Sequence, residues 1–173
     1  MRKKLIVIDM QNDFIDGSLG TPEAVAIVPK VLEKIHSYPV EEIIFTRDTH
    51  EENYLETKEG KYLPVEHCIR GTEGWQIRPE LQIAGQGAAV FDKPTFGSVE
   101  LASYITMINE MEPIEVEMVG LCTDICVVSN ALLLKAANPE MDITVDSACC
   151  AGVTPEKHEA ALETMRSCQI NVI

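Results

Sequence analysis

Short apolar runs that lack polar alternation recur along this chain, and stretches with helical spacing separate them. The runs span residues 4–9, 42–47, 88–92, 114–121, 141–145 and 170–173. A strand that is apolar on both faces is typical of a parallel sheet covered by helices on both sides. The pattern therefore predicts a mainly parallel six-stranded sheet.

Helical spacing is found between these runs, at residues 22–38, 98–111, 123–138 and 154–168. Thr154 followed by Pro155 is a typical helix start, with an N-cap hydroxyl and a proline in the first helical position. Strands that alternate with helices and connect through right-handed crossovers form a doubly wound α/β fold, with helices on both faces of the sheet. A length of 173 residues suits a single domain, 1–173, with one sizeable core.

Charge and cysteine content narrow the classes of partner. The net charge of −14 disfavours nucleic acids and anionic membranes, which are themselves negative. The first apolar run ends at Asp9, too early for a signal peptide, and none approaches a membrane span. Six cysteines without a Cys-x-x-Cys pair indicate reduced thiols in the cytoplasm. Assembly into a homo-oligomer remains an alternative to a monomer.

Four chemically active residues fall at or just beyond predicted strand ends: Asp9, Asp48, Lys93 and Cys126. In doubly wound folds, ligands bind at the carboxyl ends of the strands, where the strand order reverses. These positions therefore predict a functional site at that edge of the sheet.

Cys126 lies where a strand turns directly into a helix, among N–H groups that favour a thiolate and can hold an oxyanion. The ammonium of Lys93 stabilises a thiolate, and Asp9 can accept and return its proton. We therefore expect Cys126 to be alkylated faster than the other five cysteines. The alternatives are a buried structural thiol, a solvated lysine and an aspartate that only caps a turn.

A second constellation starts with Asp48 and His50, followed downstream by Glu56, Glu59 and His67. Nitrogen and carboxylate ligands of this kind suit Zn²⁺, Mn²⁺ or Fe²⁺, with open positions for water or substrate. The alternative is a polar surface loop in which the histidines are incidental.

Five segments, in chain order, carry a family resemblance. They are Asp9-Met-Gln-Asn-Asp-Phe14, Thr46-Arg-Asp-Thr-His50, His67-Cys-Ile-Arg-Gly-Thr72, Lys93-Pro-Thr-Phe96 and Gly120-Leu-Cys-Thr-Asp-Ile-Cys126-Val127. Together they resemble the isochorismatase-like cysteine hydrolases, and among these the nicotinamidases in particular. The resemblance covers essentially the whole chain.

The resemblance implies that Cys126 attacks a carboxamide carbon, that Asp9 moves the proton and that Lys93 supports the thiolate. It also implies a cis peptide bond before Cys122, and an oxyanion hole formed by the backbone N–H groups of Cys122 and Cys126. The product would be nicotinic acid for NAD salvage, released with ammonia through a thioester. Alternatives are an amidase for another small amide or carbamoyl compound, and a non-catalytic metal-binding or thiol sensor protein.

The resemblance assigns Asp48, His50 and His67 to one divalent metal ion, with zinc favoured and manganese or iron as alternatives. The family often has a further histidine ligand between the Asp-x-His pair and the final histidine, and this chain has none there. A glutamate could take its place, and Glu59 fits the family pattern better than Glu56. The substrate wall would include an aromatic ring and two leucines, namely Phe14, Leu19 and Leu63.

Overall fold

The computed structural model describes residues 2–173, which contain a six-stranded sheet. Its strands are β1 (Arg2–Ile8), β2 (Ile43–Asp48), β3 (Ala89–Lys93), β4 (Ile114–Leu121), β5 (Ile143–Ala151) and β6 (Asn171–Val172). The spatial order is β3-β2-β1-β4-β5-β6, and every neighbouring pair is parallel. The predicted doubly wound α/β fold is thus confirmed, with a sheet that is parallel throughout.

Helices cover both faces of the sheet. They are α1 (Asn12–Ile15), α2 (Pro22–His36), α3 (Lys58–Tyr62), α4 (Pro79–Ala84), α5 (Val99–Met111), α6 (Val128–Ala137) and α7 (Pro155–Ser167). Successive residues of β1 alternate between two cores: Leu5 packs with α2 and α4, and Ile6 packs with α5, α6 and α7. Within residues 2–173, no helix has both the length and the apolar content needed to cross a membrane.

Local side-chain chemistry explains where the two long helices α2 and α7 begin. The hydroxyl of Thr21 accepts a hydrogen bond from the backbone N–H of Ala24, and Pro22 occupies the first turn of α2. Thr154 caps α7 in the same way, through the backbone N–H of Lys157, as the sequence predicted.

Two predicted boundaries were wrong. The helix expected over residues 123–138 opens with a π-helical turn, Thr123–Val127, before α6. Strand β5 continues six residues beyond its predicted end at Val145, because the small buried residues 149–151 extend its pairing with β4 past a bulge. The polar stretch 48–74 contains a 3₁₀ turn (Tyr54–Glu56) and α3.

The strand order reverses between β1 and β4, and both strands depart from regular geometry at their carboxyl ends. Asp9 follows β1 with φ of 46°, and Gly120 in β4 has φ of 121°. A Cβ atom on Gly120 would lie 2.1 Å from the carbonyl oxygen of Ile8, so only glycine allows this approach. Beyond this contact, the segments that follow β1 and β4 separate and leave room for a site at this point.

Candidate active site

The structure brings Asp9, Lys93 and Cys126 together at the reversal point. Lys93 Nζ lies 2.6 Å from Asp9 Oδ2 and 3.4 Å from Cys126 Sγ. The Asp9–Lys93 pair has no exposed side-chain surface, and Cys126 is 4% exposed. A solvated lysine is therefore excluded, and three separate segments of the chain contribute to one buried group.

Hydrogen bonds fix the orientation of this trio. The hydroxyl of Thr46 donates to Asp9 Oδ1 over 2.6 Å and accepts from the Asp9 backbone N–H over 3.2 Å. Lys93 Nζ also donates to the carbonyl oxygen of Thr95 over 3.1 Å. The second carboxylate oxygen of Asp9 is thereby directed at the ammonium beside the thiol.

The electrostatics of the trio keep the proton on Cys126. Burial raises the pKa of the Cys126 thiol well above its usual value, and the charge of Asp9 adds to this increase, while Lys93 opposes it. Burial lowers the pKa of Lys93, but the negative charges around it, Asp9 first among them, together outweigh burial and the net shift is upward. These directions favour an ion pair and a neutral thiol in the resting site, whereas the sequence favoured a thiolate because burial is not visible in it.

Asp9 is suited to take that proton when a substrate is present. Burial raises the pKa of its carboxyl group, against the opposing effect of Lys93. A carboxylate with a raised pKa is a stronger base than an exposed aspartate. The geometry therefore supports proton transfer between the Cys126 thiol and Asp9.

The segment after β4 sets the position of the thiol. The peptide bond between Leu121 and Cys122 is cis, as the resemblance implied. The carbonyl oxygen of Cys122 then accepts the backbone N–H groups of Ile125 and Val127, each over 3.1 Å. This π-helical turn carries Cys126 to the edge of the sheet beside Lys93.

A second group of side chains, Asp48, His50, Glu59 and His67, lies next to this trio. One ligand atom from each lies within 4.8 Å of all the others. Asp48 Oδ2 is 3.0 Å from His50 Nε2 and 3.4 Å from His67 Nε2. Glu59 Oε1 is 3.5 Å from the first nitrogen and 3.7 Å from the second.

These distances fit a divalent ion of zinc size. Metal–ligand bonds of about 2.0–2.1 Å in a tetrahedron place neighbouring ligand atoms about 3.4 Å apart. The ring of His67 donates through Nδ1 to the carbonyl oxygen of Val65 over 2.8 Å, which leaves the Nε2 lone pair directed at the cluster. Hydrogen bonds from His50 and His67 outweigh burial and lower the pKa of Asp48, which keeps this ligand ionised.

Glu59 and Glu56 differ clearly in position. Glu59 belongs to α3 and its side chain is 21% exposed, whereas Glu56 lies in the preceding 3₁₀ turn and points to solvent. Gly60 is buried inside α3, where a Cβ atom would lie 2.1 Å from the Tyr54 carbonyl oxygen. Its role is this close approach rather than a change of chain direction.

The segment that follows β1 supports the cluster. Both ends of the Gln11 amide bond to the backbone of Asp48, over 2.7 and 2.8 Å. Asp13 accepts the backbone N–H of Cys68 over 2.8 Å, beside His67. Phe14 packs on the ring of His67 with 5.5 Å between centroids.

Both groups contribute to the wall of one cavity of about 280 Å³, the trio through Cys126 and the cluster through Asp48, Glu59 and His67. Pockets for drug-sized ligands run from about 300 to 1,000 Å³, so this cavity favours a small substrate. All three residues predicted for the substrate wall line it, namely Phe14, Leu19 and Leu63. Trp75 does not line it and instead stacks against Arg47, with 3.8 Å from the guanidinium carbon to the ring centroid.

The sequence did not reveal the rest of the wall. The cavity is also lined by Thr21, Phe96, Ile125, Val153 and Lys157. Phe96 closes the Lys93-Pro-Thr-Phe96 segment and could have been found from that motif. Val153 and Lys157 flank the start of α7, and no local pattern connects them with a site more than 25 residues away.

Comparisons with known proteins agree with this geometry. The isochorismatase domain matches residues 3–173. The nicotinamidase/pyrazinamidase of Mycobacterium tuberculosis is 25% identical over 184 residues, covering 99% of this chain and 98% of that protein.

Two solved structures have the same fold over nearly their whole length. The pyrazinamidase of Pyrococcus horikoshii in complex with zinc has a TM-score of 0.83 at 29% identity, covering 100% of this chain and 99% of that one. The nicotinamidase/pyrazinamidase of Bacillus subtilis has a TM-score of 0.80 at 26% identity, covering 99% of each chain.

Proposed function

The chain belongs to the isochorismatase domain family, and from this premise we propose that it hydrolyses nicotinamide to nicotinic acid and ammonia. One observation carries the proposal: Cys126, which contacts the buried Asp9–Lys93 pair, lines the same small cavity as three of the four clustered ligands. Relatives named nicotinamidase/pyrazinamidase, at 25–26% identity, support it.

In the first half of the proposed reaction, the Cys126 thiol transfers its proton to Asp9 as the sulfur attacks the carboxamide carbon. The carbonyl oxygen becomes an oxyanion, which the backbone N–H groups of Cys122 and Cys126 stabilise. Asp9 then delivers the proton to the nitrogen, ammonia leaves, and a thioester to Cys126 remains. Lys93 holds Asp9 in place and stabilises negative charge on the sulfur throughout.

In the second half, water attacks the thioester carbon. Asp9 now accepts a proton from the water, the carbon–sulfur bond breaks, and the proton returns to the Cys126 sulfur. The acid product leaves and the neutral thiol is restored. Because Asp9 accepts a proton and then delivers it in each half, its raised pKa serves both halves.

The cluster of Asp48, His50, Glu59 and His67 would hold one divalent ion, with zinc the first choice for this donor set. When bound, that ion supplies a Lewis-acidic anchor for a pyridine nitrogen. Phe14, Leu19 and Leu63 bind the ring on the apolar wall and exclude water. In this proposal the enzyme works in the cytoplasm, in keeping with its six free thiols. Its product, nicotinic acid, is then used for NAD salvage.

The test is release of ammonia and nicotinic acid from nicotinamide by the purified protein. Cys126→Ala should lower kcat by about 10⁴-fold or more, because it removes the nucleophile. Cys122→Ala is the matched control and should cause a much smaller decrease, because only its backbone N–H is used. Equal losses in both variants would contradict these roles.

A panel of small amides and carbamoyl compounds distinguishes nicotinamide from other substrates. Faster turnover of an amide that has no ring nitrogen would point to a different member of the family. No ammonia from any amide, with thiols that still react, would favour a sensor protein.

A further inference from the structure

Tyr54 lies fully buried between the two histidines of the cluster, in the segment that joins them. Its ring centroid is 4.7 Å from that of His50 and 4.9 Å from that of His67. The interplanar angles of 58° and 77° are those of tilted and edge-to-face packing. One aromatic ring therefore restricts the orientation of both imidazoles.

The hydroxyl group of Tyr54 starts a chain of hydrogen bonds that ends at His67. It donates to the carbonyl oxygen of Leu63 over 2.9 Å, and the same oxygen accepts the backbone N–H of Val65 over 2.8 Å. The carbonyl oxygen of Val65 in turn accepts Nδ1–H of His67 over 2.8 Å. The hydroxyl thus fixes the turn that orients this ligand.

The main chain of Tyr54 holds the helix that carries Glu59. Its carbonyl oxygen accepts the hydroxyl of Thr57 over 2.6 Å and the backbone N–H of Thr57 over 3.0 Å. Because Gly60 lacks a side chain, α3 packs directly against this carbonyl group. The backbone N–H of Leu63 bonds to the carbonyl oxygen of Glu59 over 2.8 Å and links this helix to the turn.

We propose that Tyr54 is a positioning residue that couples the ligand cluster to the cavity wall. Through Leu63, the hydroxyl acts on a residue that lines the cavity, and through Val65 it acts on His67. Groups that orient metal ligands from outside typically change metal affinity by 10–100-fold when they are removed. The inference rests on the proposed function for its kinetic consequence, but not for its effect on metal retention.

The experiment compares Tyr54→Phe with the wild-type protein, both loaded with zinc, and follows zinc transfer to a chromophoric chelator. We expect release to be about tenfold faster, because the ring packing remains but the turn is no longer fixed. With nicotinamide as substrate, KM should rise and kcat should change little, since Asp9, Lys93 and Cys126 lie in other elements. Tyr62→Phe is the matched control, because Tyr62 is 84% exposed in the same segment.

Equal zinc release from Tyr54→Phe and the wild-type protein would overturn the proposal, and so would a wild-type protein that retains no zinc. A fall in kcat with unchanged zinc release and KM would also overturn it. If the wild-type protein releases no ammonia from nicotinamide, the proposed function fails and the zinc comparison still decides the role of Tyr54. Amide exchange in the wild-type protein gives a second measurement without a variant: rapid exchange of the Val65 N–H would show that the turn is not held.

Discussion

At the residue scale, the location of one proton governs the chemistry of the site. Cys126 is buried beside an ion pair, and a neutral thiol there avoids placing a second negative charge near Asp9. In the proposed reaction, the nucleophile is therefore formed by proton transfer to Asp9 during attack. A protected thiol of this kind also resists adventitious oxidation, since oxidants react with exposed thiolates.

We predict that an alkylating reagent at neutral pH labels Cys168 before Cys126. Cys168 is exposed, whereas Cys126 is 4% exposed and its pKa is raised by burial. Mass mapping of labelled peptides against time gives the order. The sequence alone predicted the reverse order, and labelling of Cys126 first would mean that a thiolate is present in the resting protein.

A second residue-scale prediction separates the two candidate glutamates. Glu59→Gln should lower the affinity for zinc by about tenfold or more, because a neutral amide is a poorer ligand than a carboxylate. Less zinc should therefore remain bound after dialysis. Glu56→Gln is the matched control and should leave the zinc content unchanged, because Glu56 faces solvent. The opposite ranking would transfer the ligand role to Glu56.

At the scale of elements, buried amide side chains join segments that secondary structure alone would leave separate. Asn130 in α6 donates to the carbonyl oxygens of Cys126 (2.8 Å) and Phe96 (3.0 Å), and accepts the backbone N–H of Ser98 over 2.9 Å. It thus connects the π-helical turn that carries Cys126 to the segment that follows Lys93. Gln11 does the same for the segment after β1 and the end of β2.

Asn130→Ala should therefore lower both stability and activity. Three backbone groups lose a hydrogen-bond partner, two of them in buried bonds, and the free energy of unfolding should decrease by about 2 kcal/mol or more. Because the turn that carries Cys126 and the segment that follows Lys93 are then free to separate, kcat should fall as well. Urea unfolding and steady-state kinetics test this, with the exposed Asn171→Ala as the control. Unchanged kcat in a destabilised variant would limit Asn130 to a role in stability.

At the scale of the whole molecule, a chain with a net charge of −14 buries one carboxylate far from the active site. Glu117 in β4 is 3% exposed, and it binds Lys34 over 2.6 Å and Lys3 over 2.7 Å. The hydroxyl of Tyr38 donates to it over 2.6 Å. These contacts outweigh burial and lower the pKa of Glu117 to about 2, so this group joins β1, β4 and the end of α2 electrostatically.

This pKa shift gives a prediction for acid stability. The folded pKa of Glu117 lies below its unfolded value of 4.5, so its contribution is present above that value and is lost as pH falls toward 2. From pKa 4.5 to about 2, the contribution is on the order of 3 kcal/mol. Glu117→Gln should be less stable than the wild-type protein at pH 7, and the difference in stability should narrow between pH 4.5 and 2.

Thermal unfolding across this pH range is the measurement. The exposed Glu110→Gln is the control, and a gap that stays constant with pH would show that the titration of Glu117 is not responsible.

The sequence by itself determined the sheet and the positions at its edge. Continuous apolar runs are a local signal, so they predict six strands, and the polar residues that end them predict where Asp9, Lys93 and Cys126 emerge. The spacing of Asp48, His50 and His67 likewise predicted a nitrogen and oxygen ligand set. These predictions rest on the periodicity and chemistry of neighbouring residues, which the chain carries before it folds.

Only the tertiary structure decided the remaining properties of the site. The proton on Cys126 depends on burial and on a carboxylate 117 residues earlier in the chain, and neither is a local property. The start of α7 supplies Val153 and Lys157 to the cavity. Desolvation, charge pairing and cavity shape are sums over segments that meet only after folding, which is why no pattern along the sequence contains them.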